Sequence, residues 1–261
     1  MILPGSYANG FAPRDGQPLY PELWRGCVGA WNPGLGVTGL TLRDASGFKN
    51  NGTLTNGPTW AANQGRYALS FDGTNDYVDT GNSVLRLGGL SQLTMMLWAR
   101  RATTSSAVTM SVVSGADYLA IAPWIDGNVY FQISPSTPSI VDTSLDFNHW
   151  AMTLSGSNLR GYKNGIEVLN TSGPSVVPTI SSSFLFGYYS SLTRYSTGLM
   201  DDARIYNRAL SQQEIRTLAS RRGIAYEMAP RRRSSVQVTV APLRYNLFSG
   251  SIGNTDVIGA S

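Results

Sequence analysis

The sequence predicts an all-β antiparallel sandwich with one short helix near its C-terminal end. Three observations carry that expectation. Apolar residues recur with a period of two in many short segments. The 28 Gly and 13 Pro are spread along the chain, where many strands need many turns. One stretch alone, Ser211 onward, reads as a capped helix start.

The elements follow in order. Tyr67, Leu69 and Phe71 alternate, as do Leu93, Met95 and Leu97. Met96 and Trp98 make the opposite face of that second segment apolar too, the pattern of a central strand buried on both sides. Val129, Phe131 and Ile133 continue the rule, then Trp150, Met152 and Leu154. Asn164-Gly165 is a hairpin turn leading into Ile166 to Leu169, and Phe184, Phe186 and Tyr188 form another strand. Leu199 to Tyr206 has a strand's length, with Ala203 and Ile205 on one pleat face and Asp201 beside them. A carboxylate against a buried face needs a partner, and a cation is the simplest one. Asp202 then points to the other face, toward Arg204 or Arg208. Ser211 precedes Glu214 by three, which makes a capping box, and the helix is expected to end near Arg222-Gly223.

At 261 residues, 42% hydrophobic and 14% charged, the chain suits one large globular domain with extensions. Residues 1–21 read as an extended arm, 22–222 as the domain and 223–261 as a tail. No window approaches the ~20 apolar residues of a membrane helix, so no membrane insertion is expected. The first residues lack a charged leader followed by an apolar core, so no secretory signal is expected. Cys27 is the one cysteine, read as a small buried apolar residue.

Charge is unevenly placed. From residue 221 onward the chain carries Arg221, Arg222, Arg231, Arg232, Arg233 and Arg244 against Glu227 and Asp256, a net +4 that equals the whole chain's +4. Residues 1–220, nearly the whole domain, are therefore formally neutral, which argues against nucleic-acid binding. The tail argues for docking on an acidic surface, with a solvated linker as the plain alternative. Beyond Arg231, Arg232 and Arg233, the residues Val236, Val238 and Val240 alternate with Gln237 and Thr239. Such a strand needs a sheet to join, its own or a partner's.

Five blocks carry a resemblance. They are Trp24–Trp31 (WRGCVGAW), Asp44–Leu54 (DASGFKNNGTL), Leu69–Val78 (LSFDGTNDYV), the hairpin His149–Gly165, and Gly198–Ile215 (GLMDDARIYNRALSQQEI). In kind and order they resemble the laminin G-like, concanavalin A-like jelly-roll domains. The resemblance covers about residues 22–222 and implies a jelly-roll sandwich. It also implies one structural Ca²⁺ between the N-terminal loop and the last strand. Carried over, Asp201 and Asp44 would supply carboxylates, with Asn51 as a further oxygen donor. The alternative is that Asp44 caps a turn and Asp201 accepts backbone amides.

Catalytic signatures are missing. Glycan hydrolases of this sandwich need paired carboxylates on one strand face, whereas the four glutamates (22, 167, 214, 227) lie far apart in sequence. The lone His149 begins a strand and reads as structural. Phe71–Asp79 lacks the Gly and Glu an EF-hand requires. Sugars stack on exposed aromatics, which makes Tyr77, Trp124, Tyr188, Tyr189 and Tyr195 candidates. With 6 Trp, 13 Tyr and 8 Phe, however, most rings are core, and no sugar site is identified.

The resemblance extends to structural proteins of tailed phages, through the LWRGCVGAW start and the Arg-rich end after the helix. It implies a non-enzymatic virion protein: a capsid decoration, head-fibre or tail component. Its partners would be other virion proteins and copies of itself, with a host surface glycan as a further contact. Arg231, Arg232, Arg233, Val236, Val238 and Val240 are the expected docking residues. A free extracellular carbohydrate-binding or adhesion module is the alternative, and a glycan-active enzyme the third reading.

Overall fold

The described residues form eighteen strands and one α-helix. The computed structural model describes residues 17–82, 87–104, 107–123 and 127–228. From the N-terminal side the strands are β1 (Cys27–Trp31), β2 (Thr41–Leu42), β3 (Gly52–Thr55), β4 (Thr59–Asn63), β5 (Arg66–Asp72) and β6 (Tyr77–Asn82). Next come β7 (Gln92–Arg101), β8 (Met110–Ser114), β9 (Asp117–Pro123), β10 (Asn128–Ile133), β11 (Ser139–Val141) and β12 (Asn148–Ser155). The last are β13 (Asn158–Lys163), β14 (Ile166–Ser172), β15 (Ser183–Phe186), β16 (Tyr188–Tyr189), β17 (Arg194–Tyr195) and β18 (Thr197–Tyr206). The helix α1 spans Gln212–Ala219. Among the described residues no helix is long and apolar enough to cross a membrane.

Two antiparallel sheets of eight strands face each other. The first runs β14-β13-β12-β7-β18-β5-β4, with β1 also paired to β18. The second runs β11-β10-β9-β8-β15-β6-β3-β2. This is the expected all-β jelly-roll sandwich with one short helix. The alternating residues of the sequence meet between the sheets: Leu69, Phe71, Met95, Leu97, Phe131, Met152, Phe184 and Phe186 all belong to one buried cluster. Trp31 stands in it, stacked on Phe184 at 6.3 Å and edge-on to Phe186 at 5.0 Å. Tyr67 departs from the pattern and is exposed.

The doubly apolar strand β7 is central, as its sequence requires. Its second face, with Met96, packs in another cluster with Tyr162, Tyr206, Leu210, Ile215, Leu218 and Ile224. The first sheet is therefore covered on its outer side by α1 and the segment after it. Ser211 and Glu214 form the capping box in both directions. The helix ends at Ala219, three residues before the expected stop. Gly223 adopts φ 76°, but it opens a 3₁₀ turn (Ile224–Tyr226) rather than terminating the helix. Asn164-Gly165 makes the predicted hairpin with φ of 49° and 79°.

The ends of the domain meet. A 3₁₀ turn (Pro21–Trp24) precedes β1 and takes up the first residue of the Trp24–Trp31 block. Pro18 bridges Met228 antiparallel, and the Leu19 amide donates to the Glu227 carbonyl at 2.6 Å. The folded unit therefore continues to Met228, past the residue-222 boundary read from the sequence.

Candidate binding site

Strand β18 changes partners halfway along one edge. Thr197–Met200 pair with β5 and Ala203–Tyr206 with β1, while β7 lies on the other side. Asp201 and Asp202 fall at the changeover. The register against β7 slips there, and Asp202 takes φ 41°, the geometry of a bulge. The extra residue shifts the alternation. Met200, Ala203 and Ile205 join the inter-sheet core, whereas Asp201 pairs across to Trp98 on the outer face. The expectation that Asp201 shares a face with Ala203 and Ile205 is corrected on this ground.

Asp202 has the partner foreseen for it. Its carboxylate accepts from Arg204 Nε at 3.0 Å and from the Gly223 amide at 2.8 Å, all fully buried. The Arg204 guanidinium lies between the rings of Trp24 (4.7 Å) and Tyr226 (4.5 Å). Burial works against its charge, but Asp202 beside it holds the group firmly protonated.

Asp201 is less well served. Its Oδ1 accepts the Asp202 amide at 2.8 Å, while Oδ2 lies 3.6 Å from both Arg66 Nε and Arg222 Nη1 without a hydrogen bond. Burial, then the charge of Asp202, pushes its carboxyl up to about 6 despite the two guanidiniums.

Asp44 faces hydrogen-bond donors. Its Oδ1 accepts from the Ala30 and Ser46 amides (2.9 and 2.8 Å), and Oδ2 from the Asn50 amide and the Ser46 hydroxyl (2.9 and 2.7 Å). Asn51 Oδ1 accepts the Asp44 amide at 2.9 Å. Asn50 completes the loop by donating from Nδ2 to the Val28 carbonyl. The D-x-S-G-x-x-N block is thus a hydrogen-bonded clasp on β1. Moreover, β1 separates the two acids: Asp44 bridges Trp31, and Trp31 pairs with Ala203. Calcium needs six to eight oxygens around one point. Asp44 and Asn51 face N–H and O–H donors and Asp201 faces guanidiniums, so these residues do not fit a Ca²⁺ site.

His149 is fully buried with neither ring nitrogen hydrogen-bonded, edge-on to Trp98 at 5.4 Å. Burial lowers its pKa to about 4, so it stays neutral. That environment agrees with a structural role.

Three of the five aromatic candidates come together. Tyr188 and Tyr195 pair across the small β16–β17 ribbon, their rings stacked at 4.5 Å and 18°. Tyr77, on the outer face of β6, adds a third ring 5.8 Å from Tyr188. All three are half-buried, so each shows ring surface to solvent. Desolvation and the neighbouring Tyr188 hydroxyl push the Tyr195 phenol above its usual range. Tyr189 turns inward against Ala120 and Ala122 and is no candidate. Trp124, Arg231, Arg232, Arg233, Val236, Val238 and Val240 lie outside the described residues.

Residues 72–216, more than half of the chain, match the model of the concanavalin A-like lectin/glucanases superfamily (Laminin_G_3). The chain belongs to that superfamily. A search of curated protein sequences finds no match. Among solved structures, the superfamily fold recurs in domain 4 of an extracellular arabinanase from Geobacillus stearothermophilus, solved with arabinotriose. The TM-score is 0.58 at 18% identity, over 79% of this chain and 100% of that one. A Trypanosoma rangeli sialidase, solved with sialic acid, matches with TM-score 0.56 and 16% identity over 75% of this chain but 33% of its own. A botulinum neurotoxin type C structure, from work on its interaction with two ganglioside molecules, matches with TM-score 0.58 and 13% identity. That match covers 76% of this chain and 51% of the other. The chain thus spans about a third to a half of those two larger proteins. At these identities the likeness establishes the fold, which serves glycosidases and binding domains alike.

Proposed function

We propose that this is a non-catalytic saccharide-binding jelly roll, held by its two ends on a larger assembly, a virion being the assembly that fits best. The observation that carries the binding half is the Tyr77–Tyr188–Tyr195 cluster, half-exposed on the outer side of the second sheet. Flat rings with adjacent hydroxyls suit the C–H faces and hydroxyl groups of a sugar. Neighbouring folds solved with arabinotriose and sialic acid support the ligand class. The non-catalytic reading is supported by Asp201, a buried acid with a raised pKa, which is 0% exposed and cannot reach a glycosidic oxygen.

The attachment half is supported by the Pro18–Met228 pairing, which brings the two ends of the described domain together, and by the arginines that follow in the sequence. A glycan array of neutral and acidic oligosaccharides tests the binding half. Binding that disappears in Tyr188→Ala with an unchanged melting temperature supports it; a blank array, or release of reducing ends from a bound glycan, overturns it. For attachment, the cut belongs after Met228, since a cut at Gly223 would also remove Tyr226 from Arg204. Normal incorporation of the chain ending at Met228 into particles would overturn the tail-anchor reading.

A further inference from the structure

Over the Asp201–Asp202 bulge, on the outer side of the first sheet, lies an open cleft of about 720 Å³ lined by Arg66, Trp98, Phe147, Arg222 and Tyr226. It is far richer in idle donors than a packing defect would be. Arg66 Nε, Arg222 Nη1, Trp98 Nε1 and the Tyr226 hydroxyl are buried without a hydrogen-bond partner, the two guanidinium nitrogens 3.6 Å from Asp201 Oδ2. Orphan donors of this kind are rare in native interiors and call for a partner. Arg222 cannot turn away, since its guanidinium stacks 4.4 Å over Phe147 and its Nη2 donates to the Asn63 carbonyl.

Arg66 is positioned with equal care. Its Nη2 donates to Asn32 Oδ1 at 3.0 Å. A Cβ at Gly34 would come within 2.1 Å of that nitrogen, and one at Gly223 within 2.4 Å. Two glycines therefore form the slot that holds this half-exposed guanidinium over the bulge. Two further carboxylates, Asp146 and Glu227, line the same cleft, Asp146 exposed to solvent.

We propose that this cleft binds the carboxylate of an acidic saccharide, with the carboxylate on Arg66 and Arg222 beside Trp98 and the sugar hydroxyls on Asp146 and Glu227. A carboxylate can accept from two guanidiniums and an indole at once, in the strong charge-assisted manner. The ring of Trp98 offers an apolar face to the sugar. A dianion fits less well: Arg66 and Arg222 share the single carboxylate of Asp201 and Arg221 is paired with Glu227, which leaves one buried positive charge for one ligand carboxylate and none for a second. This site is on the opposite sheet from the tyrosine cluster and stands independently of it.

Calorimetric titration of the full chain with methyl β-D-glucuronide, methyl β-D-glucoside and inorganic phosphate is the test. The uronide should bind roughly tenfold or more tightly than the glucoside, and phosphate should not compete. Arg66→Gln should remove most of that preference. Gly34→Ala keeps every charge but fills the slot, and should do the same; it carries the test if Arg66→Gln does not fold. Arg160→Gln, on β13, controls for loss of one positive charge and should bind as the parent does. Equal affinity for the two glycosides, competition by phosphate, no uronide binding, or parental binding by folded Gly34→Ala would each overturn the proposal.

Discussion

Asp201, Trp98 and His149 form one row across β18, β7 and β12, and the two ionisable members of that row oppose each other in acid. The Asp201 carboxyl rises from 3.8 to about 6 on folding. Its protonation therefore stabilises the fold: the gain is full below 3.8 and lost as pH rises through about 6. The His149 imidazole falls from 6.5 to about 4. Its contribution is full above 6.5 and lost as pH falls through about 4. Each amounts to about 3 kcal/mol, so in the parent protein they nearly cancel. Single variants should separate them in denaturant titrations across this range. Asp201→Asn should lose stability as pH falls from 6.5 to 4, and His149→Gln should gain it. Parallel pH profiles for both variants and the parent would contradict this account. Sequence reading found Asp201 but put it on the wrong face, because a one-residue bulge leaves no mark in the hydrophobic pattern.

At the scale of elements, the Asp44–Asn50 loop is held by a single carboxylate that accepts four hydrogen bonds. Asp44→Ala would strand the Ala30, Ser46 and Asn50 amides, and should cost about 3 kcal/mol in a denaturant titration. Addition of a chelator should leave the melting temperature of the parent unchanged, as the Asp44 oxygens are taken up by the loop's own donors. The helix has a similar dependence: Ser211→Ala removes one side of the capping box and should cost about 1 kcal/mol. Strands, hairpin and cap were legible in the chain because each rests on local periodicity or turn chemistry. The tyrosine cluster was not. Tyr77, Tyr188 and Tyr195 were each named from the sequence, but only the pairing of β16 with β17 and their placement beside β6 brings them together. The helix end was misjudged for a related reason, since Gly223 serves a turn whose amide is claimed by distant Asp202.

For the domain as a whole, Arg204 is the residue that ties its two described ends to the sandwich. It is completely buried, paired with Asp202, and enclosed by Trp24 from the start of the domain and Tyr226 from its end. Arg204→Ala would leave Asp202 as an uncompensated buried charge and should cost about 3–5 kcal/mol, read as a large drop in denaturation midpoint. Replacing both partners, Asp202→Asn with Arg204→Met, should cost less than Arg204→Ala alone. A double variant as unstable as the single one would show that ring packing, not charge, dominates here.

The meeting of Pro18 with Met228 also sets how the domain responds to force. Tension applied through its two ends acts at one spot, pulling neighbouring segments directly apart. The Leu19–Glu227 hydrogen bond, then the Trp24–Arg204–Tyr226 stack, would open one after another, like a clasp peeled from its edge. Both sheets would stay unloaded until that clasp had gone. Pulled from Pro18 and Met228, the domain would lengthen first by a few residues at each end while its two sheets kept their shape.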